Sequence, residues 1–160
     1  MEPAQFYSLF SAACFGLVGL WWNVVQARKE WLKNPGQKSI AGSVYLSFLI
    51  PGLMGLGAQI AGSSALVWRL VFILGSAWGM VSTFQLMRQT KNVPNPGPFR
   101  RHRWLVTLIY AFILLGALGL DFLVTLVGLQ PLQMEALWLC LLILLGHGLA
   151  WEFLTEAPTE

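Results

Sequence analysis

The chain has 160 residues, 56% of them hydrophobic and only 11% charged, with a formal net charge of +3. A soluble domain carries about a quarter charged residues, so this composition excludes an ordinary water-dissolved globule. Apolar runs of about 20 residues recur without strand-type alternation, which points to helices crossing about 30 Å of hydrocarbon and sets aside an outer-membrane barrel.

Taken in chain order, the runs predict five transmembrane helices. The first covers residues 6–26, and "MEPAQFYSLF" ahead of "SAAC" has no basic flank, so it reads as an uncleaved helix rather than a signal or lipoprotein segment. Residues 39–68 hold no charge but are too long for one crossing. "AGSS" at 61–64 breaks them into spans at 43–61 and 65–87. The fourth span is 104–127 and the fifth 134–153, parted by "GLQPLQ". The reading is one all-α membrane domain over residues 1–153, with a short acidic tail at 154–160.

Charge orients these helices. Arg28, Lys29, Lys33 and Lys38 follow the first span, and Arg88, Lys91, Arg100, Arg101 and Arg103 precede the fourth. Nine of the ten basic residues therefore fall in two loops that five spans place on one side. The positive-inside bias makes that side cytoplasmic, the N-terminus external and the tail internal, as in a bacterial inner-membrane protein. The same bias explains the basic loops without nucleic acid. Arg28, Lys29, Lys33, Arg100, Arg101 and Arg103 are then the residues expected to touch anionic lipid head groups.

Few polar groups lie within the spans. Arg69 sits roughly 6 Å, and Asp121 roughly 9 Å, from the outer ends of consecutive antiparallel helices. An intramembrane charge costs about 2.5–3.5 kcal/mol at mid-bilayer and less toward the edge, so these two are expected to pair. His147 lies within the fifth span, and a neutral imidazole hydrogen-bonded to a neighbouring helix is its expected role. Flanking Gly146 and Gly148 would admit that neighbour. A lone histidine gives no two-ligand haem site, Cys140 on the same face is too far along the helix to share a metal, and no cofactor is expected.

"GLGAQIAG" at 55–62 looks like a dinucleotide-binding glycine run, but it lacks the preceding strand. It reads as a helix-packing surface, as do Gly75-xxx-Gly79 and Ala12-xxx-Gly16. Pro51 is expected to kink the second helix. "FLIPGLMGL" at 48–56 echoes "FILLGALGL" at 112–120, and "KNPG" at 33–36 echoes "PNPG" at 94–97, as in two parallel repeats of a helix pair. Trp78 stands out as a mid-span tryptophan, expected to pack rather than to stack on a ligand.

No catalytic constellation falls at a shared depth. The sequence is therefore read as a non-enzymatic accessory, assembly or structural subunit, oligomeric or bound to other membrane proteins and lipids. A small oligomeric channel or transporter using Asp121 and Arg69 is the alternative.

Overall fold

The computed structural model describes residues 3–89, 97–120 and 128–155, and among these every regular element is helical. The helices are α1 (Pro3–Ala27), α2 (Pro35–Ala61), α3 (Ala65–Gln89), the short α4 (Pro98–Arg101), α5 (Trp104–Ala117) and α6 (Pro131–Thr155), with a 3-10 turn at Lys29–Leu32. Four of them, α1, α2, α3 and α6, are long and apolar enough to cross a membrane.

α2 begins eight residues before the expected 43, because "NPG" is a start signal in its own right. Asn34 caps it, accepting hydrogen bonds from the backbone N–H groups of Gly36 (2.9 Å) and Gln37 (3.4 Å), and Pro35 supplies a pre-set first turn. At its other end, Gly62 takes a positive φ of 54° and turns the chain into α3. α2 is the central helix, packing on α1, α3 and α6, while α5 packs on α3 and α6.

The expected span at 104–127 is not one helix. α5 stops after 14 residues in a Schellman turn: Leu120 N–H donates to the Leu115 carbonyl (3.0 Å), and Gly119 N–H to that of Gly116 (2.9 Å). Gly119 sits at φ +88°, where a Cβ is strained. At 1.5 Å per residue, α5 is about 21 Å long, short of the about 30 Å of a hydrocarbon core. Residues 121–127, including Asp121, lie outside the described residues. Under the repeat alignment, α5 ends where its counterpart α2 continues to Ala61.

Small residues set the helix contacts. A Cβ on Gly52 would meet Cys14, one on Gly55 would meet Ser11 and Phe10, and one on Gly57 would meet Val71. Gly75 lies against Met54, and Gly79 against the Tyr110 ring. The glycine run at 55–62 and the Gly75–Gly79 pair are thus packing surfaces within the chain. Ala12 and Gly16 are not, being exposed, with nothing within 4 Å of a Cβ on Gly16.

Two apolar clusters fill the interior. Tyr7, Met54, Phe72, Ile113, Leu139 and Leu142 form the middle of the bundle. Trp21, Trp31, Val44, Phe48, Leu149 and Phe153 form the other, at the end where the basic segments meet. There the 3-10 turn points Trp31 inward onto Phe153, ring centroids 4.6 Å apart, and Trp21 Nε1 donates to the Ala41 carbonyl (3.0 Å). Large apolar side chains also face outward along the long helices. Ile60 is 74% exposed, Leu66 70%, Leu74 69% and Leu144 65%, side chains that would drive aggregation in water.

Candidate functional site

Polar side chains converge at the basic end of the bundle. α4 is only four residues long and begins at Gly97, which has no side chain to cap it. The cap comes from α6 instead. Glu152 Oε2 accepts from the Phe99 N–H (2.7 Å) and the Arg100 N–H (3.4 Å), while Oε1 accepts from Arg100 Nε at 2.6 Å. Gly97 is needed there, since a Cβ would run into the Glu152 carboxylate. Charge-assisted bonds of this kind hold α4 against the end of α6.

One turn on, Arg103 opens α5 and is 7% exposed. Burial pushes its guanidinium down to about 10, with Glu152 opposing and Arg100 adding to the effect, so it is a cation through the neutral range. Its Nη1 is enclosed with no hydrogen-bond partner among the described residues. Arg103 lines a cavity of about 60 Å³ between α2, α3, α5 and α6. Its polar wall includes Ser43, Ser47, Ser82 and Thr83, and Ile50, Leu142 and Leu145 line the apolar remainder. A water needs about 10–15 Å³ on such a measure, so the space suits a compact polar group, not a nucleotide.

The residues expected to touch head groups separate into two sets. Arg28, Lys29, Lys33 and Arg101 are exposed at this end, Arg28 lying over the Trp31 ring at 5.8 Å. Arg100 and Arg103 are buried, contrary to their expected surface role, because α4 folds into the bundle rather than looping out from it.

His147 also differs from expectation. It is exposed, and its Nδ1 pairs with the Ile143 carbonyl of its own helix at 2.9 Å, while its ring meets Phe48 of α2 edge-on. Gly146 does admit α2 closely, against Ser47 and Phe48. Trp78 faces outward, 55% exposed, and packs into neither cluster. Pro51 is buried within α2. Cys14 and Cys140 are both free thiols.

At the opposite end, the Arg69 guanidinium lies over the Trp68 ring at 5.5 Å, and a Cβ on Gly119 would be 3.8 Å from its Nη1. Arg69 thus reaches the C-terminal end of α5, where the carbonyl dipoles favour a cation. Its expected partner Asp121 lies outside the described residues.

The sequence also carries polar groups that apolar length alone does not place. Glu135 and Glu152 are each buried near an end of α6, and Tyr7 donates to the Leu132 carbonyl at 2.7 Å. Their signal was present: carboxylates inside an apolar run are expensive unless held, so both marked places where another element must arrive. Among the described residues, no three His, Cys, Asp or Glu side chains come close enough to hold a metal ion.

The class defined by these features is a helical bundle with four helices of membrane-crossing length and a cavity lined by both polar and apolar side chains at its basic end. No protein-family model, characterised protein or solved structure matches the chain.

Proposed function

We propose that the protein is a multi-pass membrane protein of the bacterial cytoplasmic membrane that acts without catalysis, as an accessory, assembly or structural subunit in contact with lipids and other membrane proteins. The observation that carries this reading is the distribution of polarity. The mid-bundle is sealed by Tyr7, Met54, Phe72, Ile113 and Leu139, each no more than 1% exposed, while large apolar side chains crowd the outside of every long helix. A single bundle of this kind has much surface for lipid and neighbouring helices and, among the described residues, an apolar centre. The basic segments, both at one end of the bundle, lie at the cytoplasmic face under the positive-inside bias.

Most glycine faces are used between the chain's own helices. The exposed Ala12–Gly16 face of α1 is left for a neighbouring helix, through the close approach that small residues permit. The test is reconstitution of the full chain into liposomes, with cross-linking and light scattering of the detergent-extracted protein. It is expected to stay with membranes through alkaline carbonate washing, to self-associate or co-purify with a membrane subunit, and to pass ions no faster than empty liposomes. Robust flux that depends on Asp121 would replace this reading with the channel or transporter.

A further inference from the structure

The Arg103 cavity has the chemistry of a binding site. Its donors are the Arg103 guanidinium, the Tyr110 hydroxyl and the Ser82 hydroxyl, none of which makes a side-chain hydrogen bond among the described residues. The opposite wall offers acceptors. Ser43, Ser47 and Thr83 spend their protons on carbonyls of their own helices, those of Ser39, Val44 and Gly79, which leaves oxygen lone pairs toward the space. Pro51, having no N–H, also leaves the Ser47 carbonyl without its normal helical donor.

Charge points the same way. Of the three buried charges here, Glu152 pairs directly with Arg100, which leaves Arg103, at the cavity wall, as one cation with no ion-pair partner of its own among the described residues. A buried charge with a vacant donor is costly to keep unless something supplies the counter-charge. Two helices also open a way in. Through Ser43, Leu46 and Ser82 the cavity shares its wall with an open groove of about 830 Å³ between α2 and α3, which carries Lys38 and Gln85. α2 and α3 touch closely near their connecting turn, at Gly57–Val71 and Met54–Gly75, and the groove lies between them at the other end.

We propose that this cavity holds the phosphodiester of one anionic phospholipid with a hydroxylated head group. The phosphate oxygens face Arg103, Tyr110 and Ser82, the head-group hydroxyls face the Ser43, Ser47 and Thr83 acceptors, and the lipid enters from the α2–α3 groove. This rests on the membrane reading above and gives its lipid contact one specific site, distinct from the exposed Arg28, Lys29 and Lys33.

The experiment offers the detergent-extracted full chain equal amounts of phosphatidylglycerol and phosphatidylcholine, with retained lipid counted by native mass spectrometry. One phosphatidylglycerol per chain is expected to be retained in preference. Arg103→Gln is expected to weaken retention at least about tenfold, and Tyr110→Phe and Ser82→Ala by about threefold each. The exposed triple change Arg28→Gln, Lys29→Gln and Lys33→Gln should leave it unaltered. Equal retention of the two lipids, or selectivity that survives Tyr110→Phe and Ser82→Ala but is lost in the exposed triple variant, would overturn the proposal, even if Arg103→Gln failed to fold. Equal thermal protection by soluble glycerol phosphate would overturn the lipid source and reassign the cavity to a free phosphate ester. Release of the chain from membranes by carbonate would instead sink the membrane reading itself.

Discussion

Glu152 is one carboxylate that serves two groups: it caps α4 through the Phe99 N–H and neutralises the buried Arg100. Breaking a buried pair from one side costs about 3–5 kcal/mol, because the surviving charge has no solvent to return to. Glu152→Gln is therefore expected to lower the thermal midpoint in detergent well below that of the double variant Glu152→Gln with Arg100→Met, and a double-mutant cycle reads the coupling directly. Additive effects would show that the 2.6 Å contact contributes nothing. Gly119 makes a smaller claim on stability. Its φ of +88° lies where a side chain is disfavoured by roughly 1–2 kcal/mol, so Gly119→Ala should destabilise by about that much. The same substitution at exposed Gly16, a helical position with open space around it, should be neutral or slightly stabilising, and equal losses at both sites would contradict the turn.

At the scale of elements, helix identity was legible wherever apolar length decided it. All four long helices overlap their expected spans, and the break at "AGSS" is where α2 yields to α3. Two boundaries were misplaced for a common reason, namely that hydropathy outweighed local backbone chemistry. "NPG" starts α2 before its apolar run begins, and "LGALGL" stops α5 inside one. The site was legible only as a list of polar residues. That Arg100 and Arg103 turn inward depends on Glu152, 52 residues from Arg100 along the chain, and no periodicity connects them. Close helix contacts predict a sharp difference between glycines. Gly55→Leu would drive a side chain into Ser11 and Phe10 and part α1 from α2, an overpacking cost of about 1–3 kcal/mol or more. Gly16→Leu meets nothing within the chain. It should leave the melting midpoint in place and reduce cross-linking between copies or to a co-purified subunit. Unchanged cross-linking would remove α1 from the proposed association surface.

The whole molecule places both basic segments at one end, and does so through contacts independent of charge counting. Trp31, from the segment after α1, packs on Phe153; Phe99 and Arg100, from the segment before α5, bond to Glu152. Both partners lie in the last turns of α6, so the two segments share a side whichever way the bundle faces. Tyr7, near the start of α1, bonds to Leu132 at the start of α6, which puts the beginnings of these two helices together at the opposite end. α5, whose 14 residues cover about 21 Å, therefore runs from the basic end toward the other. Single cysteines test this arrangement in a background of Cys14→Ser and Cys140→Ser. With a membrane-impermeant maleimide on intact cells, Ser63→Cys, in the exposed α2–α3 turn, is expected to label from outside. Lys33→Cys and Arg101→Cys, both exposed at the basic end, should label only after the membrane is opened. Labelling of all three in reverse would invert the orientation and keep the fold. Labelling of Lys33→Cys and Arg101→Cys from opposite sides would break the fold itself, since Glu152 and Phe153 are adjacent residues and cannot face two compartments at once.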